Sequence, residues 1–136
     1  MINKFSLAKA LRDNADVVAA ANSYTLIGFD TAYETNPNDA YVKEICLYGN
    51  DKAIGLADNS SDYLTGVYQI SVYTPKTQTK WSGITVADIF AVAFARGVTV
   101  THSGQSARMK NNYLSPMMQD DTHYIHNLTI EFSVIN

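Results

Sequence analysis

The chain is poor in several things. Its 136 residues hold one cysteine, so no internal disulfide can form and no cysteine cluster is available for zinc or iron–sulfur. No apolar run approaches the roughly eighteen residues that a membrane-crossing helix needs. The segment Met1-Ile2-Asn3-Lys4-Phe5 lacks the basic region and apolar stretch of a secretory leader, so synthesis in a reducing cytoplasm is expected, with no membrane partner. A strong charge of one sign is also missing. The formal net charge of −3 gives no dominant basic face for general nucleic-acid binding. Neither a P-loop, a dinucleotide fingerprint nor a G-x-S-x-G elbow occurs. No catalytic, cofactor-binding or metal residue is nominated, and no enzyme is expected.

What remains suits an ordinary globular chain, with 46% hydrophobic and 17% charged residues. One domain spanning 1–136 is expected. Spacing predicts a helix from Asn3 to Asn22 with Phe5, Ala8, Leu11, Ala15 and Val18 as its core stripe. Alternation predicts a strand over 25–33, with Ile27, Phe29 and Tyr33 on one face, and 41–48 reads as a strand of mixed polarity. Between them, Thr35-Asn36-Pro37-Asn38-Asp39 is the strongest turn signal. A short piece at 53–57 and a polar loop at 58–62 precede the clearest strand, 65–74, which Pro75 should end. A second helix is expected over 82–96, covered on much of its circumference and capped by Gly97. Two hairpin arms, 98–102 and 107–113, surround Ser103-Gly104-Gln105, and a long loop over 114–122 leads to a final strand, 123–135. These elements predict an α+β domain: a mostly antiparallel β-sheet with two helices packed on one face.

The one constellation with metal-site or hydrolase composition is Asp120-Asp121-Thr122-His123-Tyr124-Ile125-His126. In a strand, positions three apart point to opposite faces, so His123 and His126 should diverge. Cys46 lies in a strand and reads as a small half-buried hydrophobe.

Charge is unevenly distributed. Asp13, Asp16, Asp30, Glu34, Asp39, Glu44, Asp51, Asp58 and Asp62 face only Lys43 and Lys52 within 13–62. Between 76 and 110, Lys76, Lys80, Arg96, Arg108 and Lys110 face only Asp88. Such a split permits head-to-tail self-association, because complementary potentials steer contacts. The nine tyrosines and the pair Met117-Met118 also suit contact surfaces. The candidate quaternary interface therefore comprises Lys76, Lys80, Trp81, Arg96, Arg108, Lys110, Met117, Met118, Asp120 and Asp121. Alternation further places Arg108 and Lys110 on one face of their strand, with Met109 and Tyr113 on the other.

An ordered series of segments resembles the tail terminator (tail completion) proteins of long-tailed bacteriophages. It begins with the N-terminal helix, Tyr41-Val42-Lys43 entering a strand, and Ile54-Gly55-Leu56 before a polar loop. It continues with the stretch from Gly66 to Pro75, GVYQISVYTP, a helix ending in Arg96-Gly97, a hairpin, and Leu128-Thr129-Ile130-Glu131-Phe132. Lys76-Thr77-Gln78-Thr79 departs from the glycine-containing turn more usual there. The resemblance implies a virion structural protein at the head-proximal end of the tail, assembled in the host cytoplasm. It implies a ring, usually a hexamer, that caps the tail tube, stops its polymerisation, and receives the head connector or neck protein and, in contractile tails, the sheath. DNA would pass through such a ring without sequence-specific contact, and no cofactor is implied. Other readings of the same residues are a neck or head-completion protein, a small-ligand module, or a metal-dependent hydrolase using Asp120, Asp121 and His123.

Overall fold

The computed structural model describes residues 2–28, 36–49, 52–53 and 62–135. The order is α1 (Lys4–Ala21), β1 (Leu26–Gly28), β2 (Tyr41–Tyr48), β3 (Lys52–Ala53), β4 (Asp62–Pro75), α2 (Ser82–Ala93), β5 (Thr99–His102), β6 (Gln105–Leu114), β7 (Met118–Gln119) and β8 (His123–Ile135). One sheet takes all the strands in the order β1-β2-β4-β8-β6-β5, with β3 extending the ladder on β4 and β7 extending the ladder on β8. Among the described residues every pairing is antiparallel except β1 with β2. This is the expected α+β domain. The expected facing of Phe29 and Tyr33, and the segments 54–57 and 58–61, lie outside the described residues.

Alternation decides which face carries the helices. Leu64, Tyr68, Ile70 and Val72 of β4 meet Leu128, Ile130, Phe132 and Val134 of β8, all buried under α1 and α2. Thr65, Val67, Gln69 and Ser71 stand on the opposite, open face beside Ser133, Glu131, Thr129 and Asn127. A period of two in β4 and β8 thus separates a core from a surface.

Helix α1 starts where expected, because the Asn3 side chain accepts from the Ser6 N–H at 3.1 Å. Its buried side is Ser6, Leu7, Ala10, Leu11, Ala15 and Ala19, while Phe5 is 75% exposed, so the expected stripe is rotated. Arg12 fixes that rotation. Its guanidinium reaches Glu44 of β2 at 3.1 Å and Asp16 at 3.0 Å, and it donates to the Leu26 carbonyl. The alanines then face the sheet, where their small size permits close approach. Helix α2 buries Gly83, Ala87 and Phe90, and leaves Val92 75% exposed, so it is covered on one side only. It ends at Ala93, short of the expected Arg96. The Asn112 side chain of β6 donates to the Ala91 and Phe94 carbonyls, satisfying the helix end without a glycine. Gly97, at φ +91°, serves the following turn, where its N–H donates to the Met109 carbonyl.

The β5–β6 hairpin closes at His102 and Gln105 through Ser103 (φ +48°) and Gly104 (φ +77°). Two positive φ values make the primed turn that matches strand twist. In β6 the register shifts between Met109 and Asn112. Met109 opposes Phe132 on the helix side, whereas Tyr113 opposes Thr129 on the open side, so these two do not share a face as unbroken alternation requires. The segment 114–122 also differs from the expected free loop. Within it β7 pairs with β8, Ser115 N–H donates to the Asn127 carbonyl, and Asp120 N–H donates to that of His123.

Candidate assembly surface

The open face of the sheet combines apolar, polar and basic groups. Ile45 and Leu47 of β2 and Tyr113 of β6 are exposed, the last two at 53%. Lys110 joins Leu47, Val67 and Glu131 around a shallow groove, and Arg108 lies opposite Ser133. Apolar area ringed by a few charges is the composition of a protein contact surface.

At one end of this face the side chains lock together. Tyr41 stacks on Tyr73 with centroids 4.6 Å apart, and the Lys43 ammonium lies 5.6 and 5.2 Å from the two rings. The buried ring of His123 meets Tyr41 edge-on. Its Nε2 is 2.8 Å from the Asp39 carbonyl, which can only accept, so Nε2 donates there, and Nδ1 lies 2.7 Å from the Thr122 hydroxyl. The exposed Asp120 carboxylate accepts the backbone N–H groups of Thr122 and His123, which hold its pKa below the usual range.

His126 lies on the helix side, as strand parity requires, with both ring nitrogens buried and without a partner among the described residues; burial lowers its pKa. Among the described residues no three His, Cys, Asp or Glu side chains converge as a metal site needs. Cys46 is half-buried, and burial pushes its thiol up to about 11. No described helix is long and apolar enough to cross a membrane.

The ten candidate interface residues fall into two groups. Lys76, whose N–H donates to the Thr122 carbonyl, lies with Asp120, Asp121, Met117 and Met118 around the start of β8, and the exposed Trp81, with the Lys80 ammonium 5.0 Å from its ring, starts α2. Arg108 and Lys110 lie beside the far part of β8, and Arg96 follows the end of α2. From Ile125, opposite Met118, to Ser133, opposite Arg108, is eight residues, or roughly 26 Å.

A cavity of about 230 Å³ opens between β2, β4, α2 and residues 23–25, which lead into β1. Tyr24, Tyr41, Val42, Val72, Tyr73 and Val86 wall it, with Gln78 and Ser82 also lining it. Thr74, 1% exposed, lines it too, and its hydroxyl finds no partner among the described residues.

No known protein family and no curated protein sequence matches the chain. Solved structures do. One chain, known by an identifier alone, superposes with a TM-score of 0.79 at 14% identity, covering 98% of this chain and 96% of that one. Another comes from the virion of a native gene transfer agent (GTA) particle, with a TM-score of 0.63 at 15% identity, covering 98% of this chain and 97% of that one. The two chains share a fold. At such identity the likeness concerns the backbone path, and residue roles do not pass between the chains.

Two features of the surface are hidden in the sequence. The cavity is assembled from residues far apart in the chain, so no local pattern signals it. Ile45 and Leu47 are exposed although both are apolar; the mixed polarity of 41–48 is the signal that its open face lacks a cover.

Proposed function

We propose that this chain is a virion structural protein of the tail-terminator kind, a ring-forming subunit that caps the tail tube and receives the head connector. One observation carries the proposal. The whole chain, at 98% coverage, shares its fold with a virion component, and its elements follow the order that resembles tail terminators. The open face, with Leu47, Tyr113, Arg108 and Lys110, supplies contact chemistry suited to assembly. In this reading the protein works by blocking one end of a polymer. A subunit that mimics its partner on one face and not on the other halts stacking, which requires interfaces and no catalytic centre.

Mixing the purified protein with the tail-tube protein of the same genome and imaging the tubes tests the reading. Ring-shaped caps on one end and shortened tubes are expected; tubes of unchanged length with bare ends would overturn it. A neck or head-completion role is the second reading, because membership of a virion suits it equally. Binding to isolated portal or head particles with no binding to tubes would favour that role.

A further inference from the structure

We infer that the cavity between β2, β4, α2 and residues 23–25 is a binding site for a small neutral phenol, a single aromatic ring whose hydroxyl group is held by the Thr74 side chain. The inference goes beyond the capping role and does not depend on it.

The walls set the size and polarity of the ligand. Strand parity turns Val42, Val72 and Thr74 toward the helix side, where Val86 of α2 and Tyr24 close the space; the stacked rings of Tyr41 and Tyr73 belong to the opposite face. Val42, Val72 and Thr74 are almost fully buried and form the inner end. Ser23, Thr25, Ala40 and Gln78 are exposed and form the mouth. No Asp, Glu, Lys, Arg or His side chain among the described residues lines the cavity. A charged ligand would be buried there without a counter-charge, which is costly. The volume of about 230 Å³ exceeds the roughly 150 Å³ of an apolar cavity that holds benzene. One ring with a small substituent fills it.

The Thr74 hydroxyl sets the orientation. It is buried at the inner end and has no partner among the described residues, although a hydroxyl can donate once and accept twice. Leaving such a group unpaired is unfavourable. Water is a poor occupant, because each molecule needs two to four polar partners and the inner end offers one hydroxyl beside two valines. A bare hydrocarbon fills the space and leaves the hydroxyl orphaned. A phenol meets both requirements: its ring lies against Val42, Val72, Val86 and Tyr24, and its hydroxyl pairs with Thr74.

Titrations of the full chain followed by NMR test the site, with p-cresol as the phenol, toluene as the same shape without the hydroxyl, and benzoate as a charged ring. p-Cresol is expected to bind with a Kd below about 1 mM and to shift the signals of Val42, Val72, Thr74 and Val86. Toluene should bind about tenfold more weakly, since it leaves Thr74 unpaired, and benzoate should not bind. Thr74→Val keeps the side-chain shape and removes the orphaned hydroxyl. It should melt no lower than the wild type, weaken p-cresol about tenfold and leave toluene unchanged. Equal effects on the two ligands would overturn the hydrogen bond to Thr74, as would toluene matching p-cresol in the wild type. Val86→Phe, at a half-buried position of α2, should fill the space and block both ligands. Undiminished binding by that variant, or no shifts at these residues with about 10 mM p-cresol, overturns the site. Tube capping is measured separately, so failure of either reading leaves the other standing.

Discussion

Gly83, in the first turn of α2, rests directly against the imidazole of His126, and a Cβ there would overlap Nδ1 of the ring. The helix is seated on the sheet at this point, and the missing side chain is what allows it. Alanine is the better helix former by about 1 kcal/mol, so Gly83→Ala would stabilise an isolated helix. Here the overlap dominates. The variant is expected to be less stable by about 1–2 kcal/mol net, an overpacking cost read from urea unfolding midpoints. Equal or higher stability would show that α2 shifts freely on the sheet.

The same contact makes stability depend on pH. Burial lowers the His126 pKa below its ordinary value of 6.5, so the unfolded chain binds the proton more readily than the folded one. The contribution is fully present above pH 6.5 and is lost as pH falls below that value through the folded-state pKa. Unfolding at pH 7.5 and pH 5 should show this loss in the wild type and a smaller one in His126→Leu. A difference unchanged by the substitution assigns the acid sensitivity to other groups.

The rotation of α1 separates two apolar residues that the sequence makes look alike. Phe5→Ser should change stability by less than about 0.5 kcal/mol, since Phe5 is 75% exposed. Leu7→Ala should cost about 2–5 kcal/mol, since Leu7 is fully buried. Thermal unfolding of both variants checks the helix phase directly, and a reversed order would restore the stripe through Phe5.

Arg108→Glu with Lys110→Glu should leave the fold intact, because exposed charges contribute little to stability. It should weaken tube capping, and raised salt should weaken the wild type in the same direction. A folded double variant that caps normally at all salt concentrations removes this surface from the assembly.

The two long strands were legible because their alternation is nearly unbroken, and the residues that define the core of β4 and β8 follow from it directly. The 41–48 strand and the hairpin turn were equally clear, the latter because Ser103-Gly104 can adopt two positive φ values. The phase of α1 was not legible, since several overlapping stripes of alanine and leucine satisfy helical spacing. Arg12 selects among them through Glu44, thirty-two residues away. The end of α2 escaped for a similar reason: its carbonyls are satisfied by Asn112 from another strand, and Gly97 offered a more obvious local stop. Of the candidate surface, the exposure of Arg108 and Lys110 followed from residue type; that of Trp81 did not, since a large aromatic is usually covered. The separation of those residues from one another, and the cavity, depend on how distant segments meet.

The register shift at Lys110-Asn111 makes this stretch act as an inverter. Upstream of it odd-numbered residues of β6 face the helices, and downstream even-numbered ones do. Two residues of β6 stand there against Glu131 alone, so removing one of them would give plain alternation with Met109 still opposite Phe132 and Asn112 still opposite Ile130. Asn112 would stay at the carboxyl end of α2, and Tyr113 would stay on the open face. Lineages that vary this strand are therefore expected to tolerate the loss of one residue at 110–111.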